Sequence, residues 1–173
     1  MPLGNLTSQF FANVYLNDLD QFVKRKLKIK YYLRYVDDFV ILHSDKKILE
    51  NYKLKINEFL KEQLKIKLHP EKTKIIKVRQ GIPLLGFRVF YDHKLLKKQN
   101  RKRIFKKLDE LKELFSKGLI SYDEVYEILQ GIIVYMKNAN TYKLRRLISI
   151  KIEKYFPNQI SKIEINRLIK NSK

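Results

Sequence analysis

The sequence predicts an α+β fold: antiparallel strands with packed helices, followed by an all-helical portion. Three observations carry this expectation. The spacing of apolar residues changes from a period near 3.6 to a period of 2 close to Ile29. Two short apolar runs flank Val36-Asp37-Asp38, which suits a β-hairpin. From His93 the composition turns basic, and helical periodicities follow it as far as Pro157. The expected organisation is an α+β domain over 1–92, a helical domain over 93–156 and a basic tail over 157–173.

Each element has its own signal. Pro2-Leu3-Gly4-Asn5 reads as a loop. Phe10, Phe11, Val14, Leu16, Leu19, Phe22, Val23 and Leu27 recur at helical spacing, so a helix is expected over 6–28. Aromatic and β-branched alternation predicts strands over 29–35 and 39–43, with Asp37 and Asp38 at or beside the turn. Leu49, Tyr52, Ile56, Phe59, Leu60 and Leu64 mark a second helix, with Ser44 or Asp45 as its N-cap. His69-Pro70 breaks the pattern, and Ile75–Val78 and Leu84–Tyr91 look like strands. Further on, Ile104, Leu108, Leu111 and Phe115 share one helical face. Ser121 with Glu124 forms a capping box for a helix carrying Val125, Ile128, Leu129, Ile132 and Tyr135. Leu144, Leu147, Ile148 and Ile152 define a third helix of this part, which Pro157 ends.

Lys and Arg number 38 against 18 Asp and Glu, a net charge of +20 over 173 residues. Such an excess attracts polyanions: nucleic acid or an anionic membrane surface. The absence of Cys excludes a disulfide framework and thiolate zinc sites. No window reaches the roughly 18 consecutive apolar residues of a membrane span, and no signal peptide is expected, since Met1-Pro2-Leu3-Gly4 has neither a basic start nor an apolar run. A cytoplasmic location without membrane contact is expected. His43, His69 and His93 lack metal-ligand spacing.

Asp37-Asp38 is an adjacent acidic pair flanked on both sides by apolar runs. Like charges at a hairpin tip repel, and the turn lacks the Gly or Asn that such turns favour. One reading is a solvated turn; the other is a site for a cation. Hard, oxygen-seeking Mg²⁺ suits paired carboxylates, and nucleotidyl transfer uses two such ions.

The surrounding residues add a family pattern. Tyr31-Tyr32-Leu33-Arg34-Tyr35-Val36-Asp37-Asp38-Phe39-Val40-Ile41 resembles the catalytic hairpin of reverse transcriptases, with a YVDD motif. Pro2 to Gln9, followed by Phe11-Ala12-Asn13-Val14-Tyr15-Leu16, resembles the loop and helix beneath the templating base. Leu68-His69-Pro70-Glu71-Lys72-Thr73 resembles the lysine-bearing motif after the hairpin, and Leu85-Gly86-Phe87-Arg88-Val89 the primer grip. These four segments stand in the family's order and cover residues 1 to about 92. Within the family, Gly-Asn-Leu-Thr-Ser-Gln at 4–9 and Met136 to Tyr142 resemble enzymes of bacterial diversity-generating retroelements, with group II intron and retron enzymes as relatives.

The resemblance implies a partial polymerase palm followed by a helical thumb. It implies an RNA-directed DNA polymerase that extends a DNA primer on an RNA template with deoxynucleotides and Mg²⁺ or Mn²⁺. Asp37 and Asp38 are the implied metal ligands. Lys72 is the implied proton donor to pyrophosphate, although a lysine in so basic a chain is equally a solvated charge. Gly4, Asn5, Ser8 and Gln9 are implied contacts to nucleotide or template, or else turn and cap residues. Tyr35 is placed near the primer terminus or serves as core. Leu85, Gly86 and Phe87 form the implied primer grip. The basic run holds Lys94, Lys97, Lys98, Arg101, Lys102, Arg103, Lys106 and Lys107 with no acid from 93 to 107. In it Lys97, Lys98, Arg101, Arg103 and Lys106 are expected to track the RNA–DNA duplex backbone; the alternative is a solvated helix face.

In this family a further palm aspartate precedes the first of these motifs, and here that motif starts at residue 2. The chain is therefore expected to be a fragment, a truncated product or one piece of a split enzyme. An N-terminal segment or an accessory retroelement protein is the expected partner. A non-catalytic nucleic-acid-binding remnant of a reverse transcriptase is the alternative.

Overall fold

The computed structural model describes residues 6–169, so the expected loop at 2–5, with Gly4 and Asn5, and the last residues of the tail lie outside the described residues. The fold is α+β, as the periodicities predict. Two compact units divide between Ile76 and Lys77. The compositional shift at His93 falls inside the second unit. Gly86, before it, accepts a bond from Asn100, and Lys94, just after it, bonds to Asn140.

In the first unit, the expected helix over 6–28 is broken into α1 (Leu6–Tyr15), α2 (Asn17–Gln21) and a π-helical turn at Phe22–Lys26. Leu16 between them has φ −83° and ψ 0°, outside the helical well, although its N–H still donates to the Ala12 carbonyl at 3.0 Å and its side chain stays buried. The widened turn closes with Leu27 N–H donating to the Phe22 carbonyl at 3.0 Å. It sets Phe22 flat against Phe59, ring centroids 4.2 Å apart, while Val23 remains buried. A regular helical turn would move these two side chains around the axis, so apolar packing favours the bulge.

Strands β1 (Tyr32–Tyr35) and β2 (Asp38–Ile41) pair antiparallel, with Tyr35 opposite Asp38 and Tyr32 opposite Ile41. Both are shorter than predicted, and the connection is two residues, Val36 and Asp37, since Asp38 already pairs. Helix α3 (Lys46–Gln63) is capped by Asp45, whose carboxylate accepts from Lys47 N–H at 2.7 Å. Leu19, Val23, Ile29, Ile56, Leu60 and Leu64 form the core between α2, α3 and the hairpin.

The strand expected at 75–78, which the division between the units cuts, does not form: residues 75–77 carry no strand and Val78–Gln80 is a 3₁₀ turn. The run at 84–91 is not one strand but a hairpin of β3 (Ile82–Leu84) and β4 (Phe87–Val89), extended by β5 (Lys94–Leu96). Its apolar continuity hid the turn at Leu85-Gly86, where both residues have positive φ, +46° and +83°. That is the pattern of a two-residue I′ turn. Three helices follow as the periodicities predict: α4 (Lys98–Ser116), α5 (Tyr122–Lys137) and α6 (Tyr142–Tyr155). Ser121 and Glu124 form the anticipated capping box on α5, and α6 stops at Phe156, before Pro157. Leu108, Leu111, Val125, Leu129, Met136, Ile148, Ile152 and Phe156 close the core. A further helix, α7 (Lys162–Ile169), lies in the expected tail. Ser161 and Glu164 repeat the capping box there: Ser161 N–H donates to the Glu164 carboxylate at 2.7 Å and Glu164 N–H to Ser161 Oγ at 3.2 Å. That spacing was readable in the sequence. Among the described residues, no helix is long and apolar enough to cross a membrane.

Candidate active site

The β1–β2 turn brings the two carboxylates together by covalent adjacency. Alternation along the hairpin turns Tyr32, Arg34, Phe39 and Ile41 towards the helices, and these side chains are partly buried. Leu33 and Tyr35 face the other way and are exposed, as are Asp37 and Asp38. Tyr35 is 56% exposed, so it is not a core residue of the described fold. Val36, first in the turn, has φ +53°. A β-branched residue there is a true outlier, costing of the order of 1–3 kcal/mol. Gly would occupy that position without strain.

Beneath the turn lies a network that sequence reading missed. The Arg34 guanidinium grips Asp20 with both edges: Nε donates to Oδ1 at 2.8 Å and Nη2 to Oδ2 at 2.6 Å. Its Nη1 donates to Asn13 Oδ1 at 2.9 Å and to the Val36 carbonyl at 2.7 Å. Tyr32 completes the set, its hydroxyl donating to Asp20 Oδ1 at 2.7 Å. The Arg34 hydrogen bonds hold the Asp20 carboxyl below its ordinary range, against the opposing effect of its burial. Asp20 in turn raises Arg34. Burial, followed by the Asp20 hydrogen bond, pushes Tyr32 upward. The ion pair is therefore charged at neutral pH. The only sequence clue was Asp20 on the helical segment and Arg34 at an inward strand position.

Ser8, half-buried, and Gln9, exposed, lie on α1, the helix that supplies Asn13 to this network. Lys72 sits in an exposed turn at 70–72, closed by Thr73 N–H donating to the His69 carbonyl at 3.0 Å. No ion pair among the described residues joins it to Asp37 or Asp38. No group of three or more His, Cys, Asp or Glu side chains that could hold a metal occurs among the described residues. Asp37 and Asp38 are thus two adjacent, exposed carboxylates, with no third His, Cys, Asp or Glu side chain gathered beside them among the described residues.

In the second unit, the Leu85-Gly86 turn is tied to the helices. The Gly86 carbonyl accepts from Asn100 Nδ2 at 3.3 Å and from Lys97 N–H at 3.1 Å, and Asn100 Nδ2 also donates to the Tyr135 hydroxyl at 2.7 Å. Phe87 packs on Tyr135, ring centroids 5.0 Å apart. Asn140 bonds in both directions to the Lys94 backbone. These bonds are why β3–β5 belong with the helices. A Cβ at Gly86 would collide with the Tyr135 hydroxyl and with Asn100 Nδ2, and φ is +83°. Gly86→Ala is expected to lower stability by about 1–3 kcal/mol, read as a fall in the denaturation midpoint; an unchanged midpoint would mean the turn relaxes freely.

The basic run opens α4. Lys98, Arg101, Arg103 and Lys106 are exposed and Lys97 is half-buried. No acid lies in the helix's first turn, although the positive end of a helix dipole disfavours cations there. Lys106 shares Glu110 with Lys107, at 3.9 and 3.7 Å. A groove of about 1030 Å³ adjoins this end, lined among others by Lys94, Arg101, Lys137, Asn140, Tyr142 and Lys143, and by no acid. Sequence reading placed only Arg101 of these in the phosphate-binding set; the loop between α5 and α6 brings the rest alongside.

Residues 1–89 match the family model described as reverse transcriptase (RNA-dependent DNA polymerase). That match covers more than half of the chain, which belongs to the reverse transcriptase family. A comparison with curated proteins finds no match.

Proposed function

We propose that this chain supplies part of the active site and the duplex-binding surface of an RNA-directed DNA polymerase of the bacterial retroelement type. In this reading the first unit is the later part of the palm and the second includes the thumb. The observation that carries it is the strained turn: Val36 is held left-handed between two exposed carboxylates and an arginine network. A solvated loop has no need of such strain, whereas functional sites often retain it.

Asp37 and Asp38 would hold Mg²⁺ or Mn²⁺, which activates the primer 3′-hydroxyl and stabilises the departing pyrophosphate. Their exposure on the outer face leaves both carboxylates open to substrate. Tyr35, paired with Asp38 across the hairpin, offers an exposed ring beside them. Lys72 is a candidate to protonate pyrophosphate. Ser8 and Gln9 on α1 are candidate nucleotide or template contacts, together with Gly4 and Asn5. In the second unit, the rigid turn at Leu85, Gly86 and Phe87 would hold the primer strand. Lys97, Lys98, Arg101, Arg103 and Lys106 would contact phosphates, with Lys94, Lys137 and Lys143 in the adjoining groove. The remaining carboxylate would come from another polypeptide segment, because no third ligand accompanies Asp37 and Asp38 among the described residues. Primer extension tests the proposal. The chain, combined with a palm segment that carries that carboxylate, should make DNA on an RNA template with Mg²⁺. The binding-only alternative predicts duplex binding without synthesis.

A further inference from the structure

Resting on the reading of Asp37 and Asp38 as the metal-binding turn, we propose that Arg34 is the positioning residue of that turn: its guanidinium, braced on Asp20 and Asn13, holds the Val36 carbonyl and so fixes the direction in which the two carboxylates project. Each polar contact of the guanidinium has a definite task. Nε and Nη2 are consumed by Asp20, at 2.8 and 2.6 Å. This bidentate grip fixes the plane of the guanidinium. Once the plane is fixed, the two N–H bonds of Nη1 point to two set places, Asn13 Oδ1 at 2.9 Å and the Val36 carbonyl at 2.7 Å. The Arg34 side chain is only 10% exposed. Little water competes for these bonds.

The turn needs such a brace. Val36 at φ +53° is unfavourable in itself, and a strained residue persists only where its surroundings over-determine it. A hairpin of two four-residue strands is a weak constraint alone. The bond from Arg34 to the carbonyl between Val36 and Asp37 acts on the peptide whose orientation sets the Asp37 side chain. The same guanidinium reaches Asn13 on α1, the helix that carries Ser8 and Gln9. Arg34 therefore ties the candidate nucleotide-contacting helix to the candidate metal ligands. Lysine cannot replace it: a point charge with no planar fork cannot grip Asp20 and reach the turn together.

Nuclear magnetic resonance of the full 173-residue chain tests the conformational claim without any assay of synthesis. The φ-sensitive amide–Hα coupling and the local Overhauser pattern at Val36 should report a left-handed residue in the wild type. In Arg34→Lys, Val36 should leave that region while the signals of α3 keep their positions. In the assembled polymerase, Arg34→Lys should lower kcat for primer extension ~10–100-fold, as expected for a small misplacement of catalytic groups, with deoxynucleotide KM within about threefold of wild type. If Arg34→Lys fails to fold, Asn13→Ala and Asp20→Asn carry the same measurement. A left-handed Val36 in the folded variants, or a kcat equal to wild type, overturns the proposal. Asp37→Asn in the same assay separates the two readings. Undiminished synthesis there removes the polymerase role of the turn, whereas the Val36 conformation still decides the role of Arg34.

Discussion

Asp37→Asn is expected to reduce RNA-templated DNA synthesis ~10³-fold or more, with the fold intact. Asparagine keeps the size and shape of the side chain and removes the charge. A neutral amide oxygen is a poor substitute for a carboxylate towards a hard cation. Nucleophile activation and leaving-group stabilisation both depend on the ions, so losing a ligand raises the barrier by several kcal/mol; each ~1.4 kcal/mol is tenfold. Stability should be unchanged or slightly higher. Asp37 is exposed, is not itself held by the network beneath the turn, and relieves like-charge repulsion with Asp38 when neutralised. Primer extension alongside thermal unfolding checks both halves. Full activity would remove the turn from the chemistry, and an unfolded variant would show that Asp37 has a structural role.

Duplex binding should be almost as sensitive to its conditions. Exposed cations on α4 and around the adjoining groove face solvent with few acidic partners. Each phosphate they neutralise releases condensed counterions, so log affinity should fall linearly with log salt. Neutralising about six phosphates would make binding ~10³-fold weaker at roughly 200 mM salt than at 50 mM. Sequence preference should be slight, because bonds to phosphate position a protein without reading bases. Fluorescence anisotropy with an RNA–DNA duplex measures this directly. Replacing Arg101 and Lys143 by Ala should reduce the salt slope by about one unit each, close to 0.9 for every phosphate no longer neutralised. A flat salt response would mean that the basic face is only solvated surface.

Much of the fold was legible because its elements are amphipathic. α3, α4, α5 and α6 each place apolar residues at helical spacing on a buried face, and Asp45 and Ser121 mark two of their starts. The hairpin at Asp37-Asp38 was legible from a change of period. What escaped was set by tertiary packing or by backbone geometry. The π-helical turn at Phe22–Lys26 exists because Phe22 must meet Phe59, a partner 37 positions along the chain. The turn at Leu85-Gly86 lies inside an apolar run that reads as one strand. The carboxylate pair could be picked out as a candidate from residue type and setting. The Arg34 network could not, because Asn13, Asp20 and Arg34 become neighbours only when the hairpin folds onto α1 and α2. The groove residues Lys94, Lys137 and Lys143 are likewise separated in sequence and joined by β5 pairing with the loop after α5.

If the turn between β1 and β2 is a divalent-cation site, Mn²⁺ titrated into the ¹⁵N-labelled chain will reveal it most directly, because a paramagnetic ion broadens amide signals only near where it binds. Broadening is expected first at residues 36–39, and it should vanish in Asp37→Asn, with other acidic positions such as Glu50 and Glu113 little affected. Broadening that spares 36–39, or that persists there unchanged in Asp37→Asn, would contradict a cation site at this turn.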